Sequence, residues 1–383
     1  MSASRQACAA WSVPPFRGRP QTAALARAFI RWIHREGFAA GTLLPRQPEL
    51  CSILGSNNNT LGAALATLSQ HGVLRRSGRA GTRIVDPDAP VPGLWRVGVV
   101  INIDRGYYSR MHVEMHRILA QRYCARASVF MRAAGAEDAG MPRVSQIDGL
   151  AEAVAAGAID GIISQTNIDG GGVKRPFGDI PVEIAGFPRI GASGVLLDQN
   201  AVVETLVRRL AEAGAHRVAF VRYGADRPPP RHKLDARFLH AAAEAGLQAS
   251  PGEIFAVPKN DNLYADGCAA TAQRILAIPA GRRPDAIAIL NDNVAAYVSL
   301  AFLISGYRPL LAVMDNLQIP LPFALPVLPS DVDIDALAAH AASKLMARVQ
   351  NPSVPQSIDR VLPVEAPMRF PVGFPKQQKE QTP

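Results

Sequence analysis

The amino-acid sequence has few acidic residues and no lysine in its first part. The first 86 residues contain eleven arginines and only three acids, Glu36, Glu49 and Asp86, so they carry +8 of the chain's net charge of +9. The remaining 297 residues are nearly neutral. A small basic unit joined to a neutral one is typical of a protein that binds a polyanion, and the alternative is a basic leader without fixed structure. The pattern within the segment must decide between the two.

Other absences exclude whole classes of protein. No run of about 18 apolar residues is present, which excludes a membrane span, and the chain does not begin with the apolar core of a secretory signal. The four cysteines are scattered, without CxxC pairs or metal-ligand spacing, so we expect reduced structural thiols and neither metal nor cofactor. The eight histidines show no HExxH pattern, and no serine lies in a nucleophile elbow. We therefore expect a soluble, cytoplasmic protein without enzymatic activity.

Residues 21–86 show the pattern of three helices followed by two short strands. Apolar residues recur at helical spacing over 22–37, and Gly37 is a suitable end for that first helix. Pro48 suits the first turn of a short second helix that Gly55 ends. The apolar residues predicted to face inward in the second and third helices are Leu50, Ile53, Leu54, Leu61, Ala64, Leu65 and Leu68.

The third helix and the hairpin after it complete the pattern. Either Ser56 or Asn57 can cap the third helix, which is predicted to close at Gly72. The sequence VLRRSGRAGTRIV then predicts two short strands around a glycine-containing turn. Together these elements predict a winged helix-turn-helix over 21–86, after a disordered leader at 1–20.

This segment resembles the DNA-binding domain of the GntR family of bacterial regulators. LLPRQPEL is similar to that family's LPSERELA stretch, LGSNNNTLGAAL to its recognition helix LGVSRTTVREAL, and HGVLRRSGRAGTRIV to its wing EGLVRRRQGRGTFV. The resemblance implies double-stranded operator DNA as a partner. The residues that it implies as DNA contacts are Arg46, Asn57, Asn58, Asn59, Thr60, Arg79 and Gly81.

Two positions depart from the family's pattern. Asn58 and Gly62 stand where the recognition helix of the family usually has arginines. Asparagine can bind adenine through a paired donor and acceptor, but it lacks the charge of arginine and its preference for guanine. We therefore expect an altered operator and weaker phosphate attraction from this helix. The alternative is a degenerate module that only dimerises, and the arginines kept in the wing oppose it.

After a proline-containing linker at 87–95, short apolar strands alternate with amphipathic helices over 96–370, and a polar tail at 371–383 is predicted to be disordered. This alternation predicts a doubly wound α/β fold with parallel sheets. A length of about 275 residues is long for one sheet, so two lobes are expected. The predicted strands lie at 96–103, 128–133, 159–166, 182–186, 194–198, 217–223, 253–257, 286–292 and 310–316, and the predicted helices at 109–126, 144–156, 201–213, 236–245, 265–277 and 294–305.

This larger part resembles the effector domain of the lactose-repressor family, which shares its fold with type I periplasmic sugar-binding proteins. The resemblance rests on the order of weak motifs, among them IDGII, IPVEIAGFP, PDAIAILNDNVAAYVSLAFLISGYRP and VLPVEAPMR. It implies one lobe at 96–214 and 316–350 and another at 217–313 and 358–370. It also implies a homodimer and a small-molecule effector, a sugar or sugar derivative, where strand ends of the two lobes face one another.

The resemblance carries a few residues over as effector contacts. Asp292 is the acid of the family's ND motif, and a carboxylate suits pairs of sugar hydroxyls; its alternative is a helix cap. Asp315 stands where the family has its GFD motif, with a hinge role as the alternative. One or two of four residues after the first strand are expected to face the ligand, with a surface loop as the alternative. These four residues are Asn102, Asp104, Tyr107 and Tyr108.

One departure concerns the ligand. The family commonly has an arginine three residues before a Gly-aromatic pair, whereas this chain has Leu234 there. Either a basic residue has shifted in register, with Arg231 and Lys233 as the candidates, or the ligand differs from a common sugar.

The sequence therefore predicts a ligand-responsive transcriptional regulator, and a repressor by the commonest outcome in the family. Two alternatives remain. An enzyme fused to a regulatory DNA-binding domain, as in GntR-like proteins with an aminotransferase, needs a cofactor lysine and a longer second part. A sugar-binding protein that does not bind DNA is opposed by the basic N-terminal unit and the missing signal.

Overall fold

The computed structural model describes residue 16 and residues 18–101, 106–131, 144–165, 168, 177–186, 193–223, 233–257, 264–315 and 322–371. The chain divides into two units: Met1–Leu196 with Ile334–Asp359, and Leu197–Asp333 with Arg360–Pro383. None of the helices in these described ranges is both long enough and apolar enough to cross a membrane.

The first unit begins with a winged helix-turn-helix, called the winged helix below (residues 20–84). The apolar faces of its helices form the core, and β1 and β2 pair antiparallel with Leu74 opposite Ile84. Gly55, in the left-handed region at φ +59°, ends the second helix as predicted. The elements are α1 (Pro20–Arg35), α2 (Gln47–Leu54), α3 (Asn58–Gln70), β1 (Leu74–Ser77) and β2 (Gly81–Ile84).

The inward-facing residues of the winged helix follow the prediction, except for one. Leu50, Leu61 and Leu68 are fully buried. Ile53 was expected to face inward, but its side chain is 49% exposed. Ile53 lies about 60° from Leu50 around the axis of α2, which places it at the edge of the buried face, whereas Leu50 is at its centre.

The rest of the first unit is a six-stranded sheet in the order β13-β7-β6-β5-β3-β4. The five strands from β7 to β4 in this order are parallel to their neighbours. The side chains of β5 are buried along its whole length, which is typical of a central parallel strand. The elements are β3 (Arg96–Ile101), α4 (Gly106–Tyr123), β4 (Arg126–Met131), α5 (Leu150–Ala155), β5 (Gly161–Ser164), β6 (Val182–Gly186), β7 (Gly194–Leu197), α10 (Ile334–Gln350) and β13 (Ile358–Val361).

The second unit holds another six-stranded sheet, in the order β14-β12-β11-β10-β8-β9. Its strands are parallel except β14, which pairs antiparallel with β12 at the edge. The elements are α6 (Gln199–Glu212), β8 (Val218–Tyr223), α7 (Lys233–Glu244), β9 (Ile254–Val257), α8 (Tyr264–Leu276), β10 (Ala286–Ile289), α9 (Asp292–Ile304), β11 (Leu310–Asp315), β12 (Val327–Asp331) and β14 (Val364–Glu365).

The doubly wound α/β class is confirmed, but the expected division into lobes is wrong in three places. The helix α6 was placed in the first lobe, whereas it belongs to the second unit and packs on β10 and β11. Residues 316–333 were also placed in the first lobe, yet β12 pairs with β11 in the second sheet. The start of 358–370 was placed in the second lobe, yet β13 lies beside β7 in the first sheet. A strand–helix alternation shows which element follows which, but not on which of two similar sheets a helix packs.

Two further expectations need correction. The helix predicted at 144–156 is a 3₁₀ turn (Val144–Gln146) followed by α5, because Gly149 adopts a positive φ of 71° between them. Cys51 and Cys268 are free thiols, but the buried Cys124 is disulfide-bonded, so the expectation of reduced thiols is wrong for that residue.

Candidate DNA interface and effector residues

The start of α3, the expected recognition helix, is shaped by Asn57. Its side-chain oxygen accepts a hydrogen bond from the backbone N–H of Thr60 at 2.9 Å, so Asn57 is the N-cap of the helix. This interaction satisfies one of the free N–H groups at the helix start. Asn57 is therefore committed to holding the helix in place, although it lies at the surface.

Asn58 is held against the preceding helix. The Cys51 thiol donates to Asn58 Oδ1 at 3.3 Å, and Gln47 Nε2 donates to the Asn58 carbonyl oxygen at 3.0 Å. The next residue, Asn59, is exposed, and its side chain makes no hydrogen bond with any described part of the chain. Of the three consecutive asparagines, Asn59 has the side chain most free to meet a base edge.

The other expected DNA contacts lie at the start of α2 and in the wing. Arg46 is the exposed N-cap of α2, where its backbone N–H donates to the Glu49 carboxylate at 3.2 Å. Gly81 has φ +82°, and a Cβ atom added there would lie 3.0 Å from Leu43 Cδ1, so this position requires glycine. Arg79 lies in the wing turn, and its side chain is outside the described residues.

The wing itself presents arginines to solvent. Arg75 and Arg83 are opposite each other across the two strands, and Arg76 lies beside them. All three are exposed, and the guanidinium of Arg83 donates to the Gly41 carbonyl oxygen at 3.0 Å. Exposed arginines without acidic partners attract DNA phosphates.

In the second unit, Asp292 lies directly after the carboxyl end of β10. The cap of α9 is Asn291, whose side chain accepts from the Val294 N–H at 3.0 Å. Asp292 is the first residue of the helix, is 1% exposed, and accepts from the Asn293 N–H at 2.9 Å. The cap expected as the alternative role of Asp292 is thus supplied by its neighbour.

Asp315 ends β11, beside the strand that leads to Asp292, and is also 1% exposed. It forms an ion pair with Arg369, which also donates to Asp331 at 3.3 Å. Burial raises the pKa of Asp331, the charge of Asp315 raises it further, and Arg369 and Arg209 oppose the rise. Asp315 therefore belongs to a network of charges that joins β11, β12 and the last described segment.

The remaining expected effector residues are described only in part. Lys233 is the exposed first residue of α7. Tyr107 and Tyr108 lie in the first turn of α4, with side chains outside the described residues. Three further candidates lie wholly outside the described residues, and these are Asn102, Asp104 and Arg231.

Sequence reasoning missed a buried ion pair at the same sheet edge as Asp292 and Asp315. Arg222, near the end of β8, donates through Nε to Asp235 of α7 at 2.6 Å, and both side chains are almost completely buried. A signal was available: Asp235 stands next to Leu234 on the apolar face of a helix, where a carboxylate needs a partner. No group of three or more potential metal ligands occurs among the residues that the structure describes.

Two family models match separate parts of the chain. Residues 21–84 match the model of bacterial regulatory proteins of the gntR family, and residues 207–367 match that of the periplasmic binding protein-like domain. No curated protein sequence is significantly similar to the chain.

Several solved structures share the fold of the larger part. The transcription regulator CcpA of Lactococcus lactis is 16% identical to this chain, with a TM-score of 0.54. The alignment covers 72% of this chain and 99% of the CcpA chain. A LacI family transcriptional regulator from Arthrobacter sp. FB24, solved in complex with lactose, is 18% identical, with 72% and 99% coverage and a TM-score of 0.54. A dimeric Lac repressor with an 11-residue C-terminal deletion is 15% identical, with 72% and 98% coverage and a TM-score of 0.55.

At these identities the likeness shows the fold alone, and the proteins that share it are transcription regulators. The gntR model matches almost the whole of the winged helix, including the capped helix α3 and the arginine-bearing wing. The chain therefore joins a winged helix that matches the gntR family model to a part that matches the periplasmic binding protein-like model and shares its fold with LacI-family regulators.

Proposed function

We propose that this protein is a repressor that binds operator DNA through its winged helix and responds to a small sugar or sugar-derived effector bound by its sensor domain. The observation that carries the proposal is the union in one chain of an arginine-rich winged helix and a LacI-like domain. In such a chain, we infer that a ligand bound by the larger domain changes the affinity of the winged helix for DNA.

On this proposal, contacts to DNA divide into two kinds. Asn59 and Thr60, at the start of α3, meet base edges in the major groove, where an asparagine pairs with adenine. Arg46 and the wing arginines meet phosphates and fix the register of the protein on the duplex. The side chains of Asn57 and Asn58 hold the helix in position.

The effector binds, on this proposal, at the carboxyl edges of the parallel strands, where ligands of open α/β sheets bind. In the second unit this edge carries Asp292 and, beside it, Asp315 with Arg369. A carboxylate accepts two hydrogen bonds and matches neighbouring sugar hydroxyls. The Arthrobacter regulator bound to lactose supports a sugar as the class of ligand.

We also propose that the protein works as a homodimer. The exposed side of α9 carries large apolar residues, and no charged residue follows Asp292 within that helix. An uncharged apolar face can pack against its own copy across a twofold axis without opposing like charges. The exposed apolar residues of this face are Tyr297, Leu300, Leu303 and Ile304.

On this proposal the protein is neither an enzyme fused to a DNA-binding domain nor a sugar-binding protein without affinity for DNA.

The test of the proposal uses the full chain. Duplexes are selected from a random-sequence pool, and the affinity for the selected duplex is measured at several salt concentrations with and without a panel of sugars. We expect palindromic selected sites, a strongly negative salt slope because counterions are released, and loss of affinity with at least one sugar. Failure to select any sequence, together with salt-independent binding, would refute the proposal.

A further inference from the structure

Two arginines of the winged helix contact the sheet domain of the first unit and are only partly exposed to solvent. Arg27 and Arg31 lie one turn apart on α1. The Nε atom of Arg27 pairs with the carboxylate of Asp160 at 3.2 Å, and its Nη1 donates to the carbonyl oxygen of Leu94 at 3.0 Å. The Arg27 side chain is 12% exposed and that of Asp160 7% exposed, so this ion pair is largely shielded from water.

Arg31 makes the second half of this contact. Its Nε atom donates to the carbonyl oxygen of Val349, near the end of α10, at 2.9 Å. Its guanidinium carbon lies 5.4 Å from the centre of the buried Trp95 ring, within range of a cation–π interaction. The guanidinium groups of Arg27 and Arg31 are therefore engaged within the first unit, although both count toward the basic charge of the N-terminal segment.

Asp160 is the shared partner of charges from two domains. Besides Arg27, it accepts hydrogen bonds from the backbone N–H and the guanidinium of Arg96, at 3.0 to 3.2 Å. Burial lowers the pKa of Arg27 and of Arg31, and the Asp160 charge opposes that change. We call Arg27, Arg31, Arg96 and Asp160 the Asp160 cluster.

The helix that receives Arg31 begins at the boundary of the two units. The chain leaves the second unit at Asp333, and α10 begins at Ile334 and continues for 17 residues, about 25 Å at 1.5 Å per residue. Its last turn packs tightly on β5, where a Cβ added at Gly161 would lie only 2.6 Å from Val349 Cγ2. The end of α10 and the Asp160 cluster are thus fixed to the same strand.

We propose that the Asp160 cluster couples the winged helix to α10, so that a displacement of α10 at the unit boundary reorients the DNA-binding domain. The part of this proposal that concerns DNA rests on the proposed function, whereas the contact of Arg27 and Arg31 with the sheet domain does not depend on it. Arg27 and Arg31 are positioning residues in this scheme: they touch neither DNA nor effector, but they fix α1 to the sheet that α10 covers.

The contact is tested without DNA, by chymotrypsin cleavage of the full chain after Leu94 and Trp95, which are buried beside α1. Cleavage of a transiently opened structure follows the population of the open form. Because hydrogen bonds to charged groups are lost, we expect Arg27→Met/Arg31→Met to be cleaved there about tenfold faster or more. Methionine keeps the apolar part of each side chain, and Arg31→Gln serves as a milder second variant. Circular dichroism establishes that each variant is folded.

Arg35→Met is the matched control, because Arg35 lies one turn further on α1, is exposed, and pairs only with Glu36 among described residues. We expect Arg35→Met to be cleaved at the wild-type rate. Equal cleavage rates for the wild type and both cluster variants would overturn the contact.

The coupling is tested by hydrogen exchange of the full chain with and without a duplex selected by the wild type. In the wild type we expect the duplex to change exchange in α1 and in the last two turns of α10. In Arg27→Met/Arg31→Met we expect the change in the winged helix alone. An unaltered response of α10 in that variant would overturn the coupling. If the wild type selects no duplex, the proposed function fails and the coupling with it, whereas the cleavage rates still decide the contact.

Discussion

The Cys51 thiol donates a hydrogen bond to Oδ1 of Asn58 at 3.3 Å and so ties the first residue of α3 to α2. An asparagine that binds adenine must offer both its oxygen and its NH₂ group. In Asn58 the oxygen already has a donor, whereas the neighbouring Asn59 offers both groups to solvent. The two residues are adjacent in the sequence but differ in their freedom to contact DNA.

We therefore expect Asn59→Ala to lose about 1–3 kcal/mol of discrimination at one base pair, the cost of a bidentate base contact. Asn58→Ala is the matched control and should lose less, because part of its hydrogen-bonding capacity is used within the protein. The measurement is the affinity of both variants for a panel of single-base variants of the selected operator. An Asn59→Ala profile that coincides with the wild type on every variant would show that this asparagine does not contact a base.

The cap of α3 gives a prediction about stability. Asn57→Ala should lower the free energy of unfolding of the winged helix by about 1 kcal/mol, because the Thr60 N–H loses its acceptor. Asn57→Asp keeps an acceptor and should stay close to the wild type. Urea unfolding followed in the segment 20–84 by hydrogen exchange measures both. Equal stability of the alanine variant and the wild type would mean that the cap contributes nothing.

The buried pair of Arg222 and Asp235 should be costly to break from one side. Asp235→Ala leaves a buried guanidinium without its carboxylate, which costs about 3–5 kcal/mol of unfolding free energy. Replacing both partners, as Arg222→Met/Asp235→Leu, should recover most of this loss. Arg237 lies on the same helix and pairs with Glu204 at a partly exposed position, so Arg237→Ala is the control and should cost far less than Asp235→Ala. Chemical denaturation of the four proteins tests the pattern, which fails if the double variant is the least stable.

Two histidines of α4 predict a loss of stability in acid. Burial, and then the neighbouring His112, lower the pKa of His116 from 6.5 to about 4. His116 has a lower pKa in the folded protein than in the unfolded chain, so between pH 6.5 and pH 4 the unfolded chain binds more protons. The free energy of unfolding therefore falls as the pH drops from about 6.5 to 4. Because His116 is partly exposed, the loss is about 1–2 kcal/mol.

His116→Gln should flatten this pH dependence, whereas His240→Gln, at an exposed position of α7, should leave it unchanged. Thermal unfolding at intervals between pH 4 and 7 measures the slope. An equally steep slope in His116→Gln would assign the acid sensitivity to other groups.

Asp292 gives a prediction about ligand response. Asp292→Asn should abolish the rise in melting temperature caused by the effector and leave the affinity for the operator without effector nearly intact. The control is Asp266→Asn, which changes an exposed acid in the first turn of the neighbouring helix α8. Thermal-shift measurements on the full chain with a sugar panel check both. A retained shift in the Asp292 variant would remove this carboxylate from the list of ligand contacts.

The parts that could be predicted from the sequence are those determined by local chemistry. The spacing of Leu61, Leu65 and Leu68 sets the buried face of α3, and the hydrogen-bonding side chain of Asn57 sets where that helix begins. Apolar runs such as AIAILND likewise located the strands. These features depend on residues a few positions apart, so periodicity and capping rules suffice to find them.

The features that escaped prediction depend on contacts between distant segments. The spacing of apolar residues shows which face of α6 is buried, but not on which sheet the helix packs. The place of β12 in the second sheet depends on its pairing with β11. The partners Arg369 and Asp315 are 54 residues apart, and Arg27 and Asp160 are farther still. No local rule connects such residues, so the charged networks became visible only in the folded chain.

The placement of Arg27 and Arg31 has a consequence for fragments of this protein. A fragment that ends at residue 88 would keep both arginines and lose Asp160, Val349 and Trp95, leaving two further positive charges on α1 open to solvent. Such a fragment should bind duplexes of any sequence more tightly, and with a steeper salt dependence, than the same domain does in the full chain. Specificity measured on the isolated domain would therefore understate that of the intact protein.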